Sequence, residues 1–140
     1  MKKKIAICEP VIKGKHKITL DTRIEMVDYD NLFKELYGIL GCDLIQPVPV
    51  LDIGDIPFVL LTDEEAKLKN DWLPSFALCF EDGGGVYDVV AGPFAVVKDG
   101  IDENGEPAFL QPTKEEMQAF CDALTMHFCR AVDILNELGD

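Results

Sequence analysis

Val86-Tyr87-Asp88-Val89-Val90-Ala91-Gly92-Pro93-Phe94-Ala95-Val96-Val97 decides the fold, because no other segment is so apolar and so rich in strand formers. It predicts the central strand of a sheet. Glu81-Asp82-Gly83-Gly84-Gly85 before it and Lys98-Asp99-Gly100 after it are turn signals that set its ends. Inside it, Gly92-Pro93 interrupts the ladder, since proline has no N–H and glycine marks bulges and close backbone approaches. The strand is expected to bend there.

Working outward toward the N-terminus, Ile56 to Leu61 is a second strand candidate. Asp43 to Leu51 carries Pro47 and Pro49, which suits an edge strand or an extended connection. Leu32, Phe33, Leu36, Tyr37 and Leu40 make one apolar stripe at helical spacing, with Asp30 as the expected N-cap and Gly41 as the stop. Before them, Lys4 to Glu9 and Lys17 to Leu20 flank Lys13-Gly14-Lys15 as a hairpin, with His16 in its turn. Trp72 to Leu78 groups large apolar residues around Pro74 and is expected to be a loop or single helical turn capping the core.

Toward the C-terminus, Asp102 to Glu106 is a solvated loop tip, and Ala108-Phe109-Leu110 is at best a short strand. Thr113 with Glu116 forms a capping box before Met117, Phe120, Cys121, Leu124, Phe128, Ala131, Val132, Leu135 and Leu138. A long amphipathic helix over 114–138 follows. The chain reads as one α+β domain over 1–140: a mostly antiparallel sheet, a short helix near 31–40, and the long C-terminal helix packed on one face. A helix of about 25 residues is about 37 Å long, against a radius of gyration of about 14 Å for a domain this size. Its last turns are therefore expected to overhang, which makes a homodimer through this helix a candidate partner arrangement.

Composition narrows the function classes. The chain has 140 residues, is 48% hydrophobic and carries net charge −13. Six lysines against one glutamate give residues 1–20 a net +5, so the remainder carries −18. An acidic body of this size repels nucleic acid and anionic lipid, so direct nucleic-acid binding and membrane binding are not expected. No apolar run reaches the length of a membrane span and no signal peptide is evident, which places the protein in the cytoplasm. Cys8, Cys42, Cys79, Cys121 and Cys129 contain no Cys-x-x-Cys pair, and His16 and His127 are the only histidines. In a reducing cytosol the five cysteines are expected to be buried small hydrophobes, and neither a metal site nor a cofactor is expected.

The set Glu9-Pro10, Asp63-Glu64-Glu65-Ala66-Lys67-Leu68, Leu73-Pro74, Ala77-Leu78 and Val86-Tyr87-Asp88-Val89-Val90-Ala91-Gly92-Pro93-Phe94 resembles the domain of unknown function numbered 3846. That is an uncharacterised bacterial and phage family whose members show a pattern like Ile-Tyr-Asp-Ile-Ile-Ala-Gly-Thr-Phe. The resemblance covers residues 4 to 122. Where the family has Asn-Arg-Ala after Leu-Pro, this chain has Ser75-Phe76-Ala77, so no anion-binding arginine carries over. The resemblance implies a mobile genetic element and a host protein as a candidate partner. It implies no activity.

No catalytic constellation is evident. Asp63, Glu64, Glu65, Asp82, Asp88 and Asp99 supply carboxylates, but paired catalysis needs a fixed separation in a desolvated cleft. The glycine run at 83–85 lacks the Gly-Lys-Ser/Thr ending and leads into a strand, so it is not a phosphate loop. Cys79 with His127 as nucleophile and base has no marked third partner, and a buried thiol beside a partly exposed histidine is expected instead. Tyr87 and Asp88 stand out, since alternation sends them to opposite faces of an apolar strand that then bends at Gly92. These three residues are the candidate binding site. The expected function is a small cytosolic binding or regulatory protein. The alternatives are an enzyme using Asp88 and its neighbouring carboxylates, or an acidic nucleic-acid mimic that inhibits a host DNA-acting enzyme.

Overall fold

The apolar run at 86–97 is two strands in two different sheets. In the computed structural model, which describes residues 1–82 and 84–139 and side chains as far as Glu137, β6 is Val86–Ala91 and β7 is Phe94–Ile101. Gly92 between them takes φ 74°, a left-handed conformation open to glycine at no steric cost, and its N–H bonds to the Leu73 carbonyl at 2.9 Å. The expected bend is a sheet switch. Gly83 within the preceding glycine run and the Leu138 side chain lie outside the described residues.

The main sheet is antiparallel throughout. Its other strands are β1 (Lys2–Lys13), β2 (Lys17–Asp28), β3 (Ile45–Pro49) and β4 (Phe58–Asp63), in the order β2-β1-β7-β4-β3. A short β8 (Pro107–Leu110) pairs with the second half of β7. The hairpin read at Lys13–Lys17 is therefore present, and its second strand continues to Asp28. Pro47 and Pro49 sit on the edge strand, as their missing N–H groups require.

The second sheet has two strands, β5 (Pro74–Cys79) and β6. Segment 72–78 was expected to be a loop, and that expectation is corrected: β5 is a strand buried along its whole length. It shows no polar alternation because the main sheet and the C-terminal helix together cover every residue along it.

Helix α1 (Leu32–Leu40) ends at Gly41, whose N–H bonds to the Tyr37 carbonyl at φ 66°. Asp30 does not cap it. A single-turn helix at Tyr29–Asn31 precedes α1, and the Asp28 side chain accepts the Asp30 N–H at 3.0 Å. Helix α2 (Lys114–Gly139) starts with both bonds of the capping box, Thr113 N–H to Glu116 at 2.8 Å and Glu116 N–H to Thr113 at 3.1 Å. No helix among the described residues is long and apolar enough to cross a membrane.

Register explains why each helix takes its own face of the main sheet. Val59, Leu61, Ala95 and Val97 point to the side covered by Leu32, Leu36 and Leu40 of α1. Phe58, Leu60, Phe94 and Val96 point to the side covered by β5, β6 and Phe120 of α2. Phe120 has ring centroids 5.2 Å from Phe58, 5.8 Å from Phe76 and 6.5 Å from Phe94, so four aromatic rings join the three layers.

Candidate functional site

The edge strand β3 and the strand β6 face each other across a cleft of about 290 Å³, lined by Pro47, Asp63, Lys67, Tyr87, Asp88 and Val90, among others. Two of the three residues singled out in the sequence therefore line one cavity. Gly92 does not line it. Its role is to turn the chain just after Ala91, close to Ala66 of the cleft wall.

Asp88 is half exposed and accepts a hydrogen bond from the Lys67 ammonium at 2.8 Å and from the Val89 N–H at 2.7 Å. Partial burial works to raise its carboxyl, yet these two donors outweigh burial and hold it below the usual carboxylate value. Tyr87 is also exposed and lies against Phe80, with ring centroids 5.1 Å apart. Partial burial and then the Asp88 charge push its phenol up. Both residues are exposed, so strand alternation does not send one of them into the core. A two-stranded sheet leaves the outer edge of β6 open.

Asp63 lies deeper in the same cleft and is 6% exposed. One of its oxygens accepts the Lys69 ammonium at 2.6 Å and the other accepts the Glu65 N–H at 2.9 Å. The hydrogen bond to Asp63 raises the Lys69 ammonium. Asp63 thus orders the turn that presents Lys67. Behind Tyr87 and Asp88 is a second, apolar hollow of about 300 Å³, lined by Trp72, Val86, Ile134 and Leu135, among others. A wider apolar groove of about 670 Å³ lies between the β1–β2 hairpin and α2. Arg23 at its rim is paired with Glu9 and Glu25.

Cys79 and His127 do come together. Sγ lies 3.9 Å from Nδ1, and Asp52 supplies the third partner that the sequence did not mark, with Oδ2 3.1 Å from Nε2. The arrangement is not a nucleophile with its base. Nδ1, the nitrogen nearer the thiol, lies 2.6 Å from the Ala77 carbonyl, and a carbonyl only accepts, so this nitrogen carries a proton and has no lone pair for the thiol. His127 is fully buried and Cys79 is 2% exposed, so no substrate reaches the sulfur. The histidine expected to be partly exposed is stacked on Phe76 at 4.2 Å. Its place on the α2 stripe, between Phe120 and Ala131, is the signal that could have revealed its burial. Cys8, Cys42 and Cys79 are buried as expected, but Cys121, read as part of that stripe, and Cys129 are exposed.

A family model described as "Domain of unknown function (DUF3846)" matches residues 15–125. No curated protein and no solved structure matches the chain.

Proposed function

We propose that this chain, which belongs to the DUF3846 family of domains of unknown function, is a non-catalytic cytosolic binding protein with a regulatory role on a mobile genetic element. Its ligand occupies the cleft between β3 and β6. The observation that carries this reading is the half-exposed Lys67–Asp88 pair at the cleft wall beside Tyr87. An exposed ion pair is worth only about 0–1 kcal/mol, so a ligand carrying both a cation and an anion can exchange partners with it at little cost. The cleft is at the small end of ligand pockets, which suits a compact polar molecule.

Catalysis at Asp88 is less well supported. A general acid or base working near neutral pH needs a raised carboxyl, and this one is shifted downward. Asp63, the buried carboxylate of the cleft, is held by the Lys69 ammonium and the Glu65 N–H. The cytosolic setting is supported by the five free thiols, and the mobile-element setting by the motif resemblance.

Screening the purified chain for hydrolase and transferase turnover tests the reading, with no turnover expected. Reproducible turnover that disappears in Asp88→Asn would replace binding by catalysis. A second reading, dimerisation through α2, is favoured by the apolar hollow that Ile134 and Leu135 form with Trp72 and Val86, since a second copy could fill it.

A further inference from the structure

The buried cluster of Asp52, Cys79 and His127 lies apart from the cleft, and its polar accounting does not close. With Nδ1 donating to the Ala77 carbonyl, a neutral His127 ring turns the lone pair of Nε2 toward Asp52. Nε2 and Oδ2 are 3.1 Å apart, yet neither Nε2 nor Asp52 Oδ1 has a hydrogen-bond partner. Two acceptors facing each other in a dry interior need positive charge between them. A proton on Nε2 would give an ion pair with Asp52 whose N–H is not aimed at the oxygen, whereas a metal ion bonded to both atoms needs no such alignment.

We infer that Asp52, Cys79 and His127 form a binding site for one divalent cation of the zinc class. Metal bonds of about 2.0–2.1 Å to nitrogen and 2.0–2.2 Å to oxygen span such a separation when bent at the metal, so the oxygen need not lie on the ring axis. The Cys79 sulfur, Asp52 oxygen and His127 nitrogen all lie within 4.8 Å of one another.

The surroundings are those of a metal site. The Ala77 carbonyl fixes the ring and its tautomer through Nδ1, as the outer partner of a ligating histidine does. Arg130 Nη1 donates to Cys79 Sγ at 3.4 Å, so the sulfur already accepts from a cationic neighbour. Thiolate, imidazole and carboxylate together suit zinc and cobalt rather than magnesium or calcium. Binding releases the thiol proton, and two anionic ligands neutralise the dication. The ion would tie the loop after β3, the strand β5 and the middle of α2 to one point.

Titrating the metal-free chain with cobalt(II) and then zinc(II) tests the site. One cobalt per chain is expected, with a thiolate-to-cobalt charge-transfer band and the visible bands of a tetrahedral ion, and zinc should displace it and raise the melting temperature. Cys79→Ser should abolish the charge-transfer band, and Asp52→Asn should weaken binding by about tenfold or more. Cys121→Ser and Cys129→Ser should leave the band intact. The inference is overturned if the wild-type chain gives no such band, which needs no variant to fold, if the band survives Cys79→Ser, or if it is lost with Cys121→Ser instead.

Discussion

Replacing Phe120 by alanine removes the ring that joins α2 to the two sheets. Phe120 is 1% exposed and touches rings from β4, β5 and β7. Truncating a buried phenylalanine costs about 3–5 kcal/mol, and three aromatic neighbours place this one near the middle, about 4 kcal/mol. Domains are stable by about 5–15 kcal/mol, so the variant should still fold, with a large fraction of its stability gone. At roughly 4 °C per kcal/mol for a chain of this length, the melting temperature should fall by about 15 °C. Phe80 is the control, because it is 53% exposed and Tyr87 is its one aromatic neighbour among the described residues, so Phe80→Ala should cost under about 1 kcal/mol. Urea denaturation of both variants gives the comparison. If Phe120→Ala loses less than Phe80→Ala, the aromatic cluster does not join the layers and the packing argument is wrong.

Other expected outcomes concern the ends and turns of elements. The Lys98 ammonium, then the Thr113 N–H, hold the Glu116 carboxyl below its ordinary value of 4.5, so its contribution is complete above that value and is lost as pH falls through the lowered one. Wild type should therefore lead Glu116→Gln in stability at neutral pH and lose that lead below about pH 4.5, as acid-denaturation curves would show. Gly92→Ala should cost about 1–2 kcal/mol from backbone strain alone, since its methyl would meet only Ala66 at an ordinary 3.6 Å. An unchanged denaturation midpoint would contradict the sheet-switch role. Sedimentation should show wild type self-associating at micromolar concentration and Leu135→Glu as a monomer, and two monomers would end the dimer reading.

What was legible in the sequence is what local chemistry dictates. Thr113 with Glu116, Gly41, and the prolines of β3 each act on backbone groups a few residues away, and each stands where it was read. The switch at Gly92 was legible only as a bend, because proline and glycine mark the break while the partners on either side are set by distant strands. Strand β5 was hidden for the same reason: burial on both sides erases the alternation that identifies a half-buried strand. Tyr87 and Asp88 could be named as polar residues on an apolar strand. Lys67 could not, since a lysine in a polar run carries no sign of which carboxylate it will meet. Asp52 and His127 are joined only by tertiary packing, and no spacing rule links a loop aspartate to a helix histidine so far along the chain.

The binding claim is tested most directly by amide chemical-shift mapping of the isotope-labelled chain titrated with amino acids and dipeptides, probes that carry one cation and one anion. Saturable shifts at Lys67 and Tyr87 to Ala91, lost in Asp88→Asn while the rest of the spectrum is kept, are the predicted result. No shift at these residues with any probe, or shifts there that persist unchanged in Asp88→Asn, would contradict it.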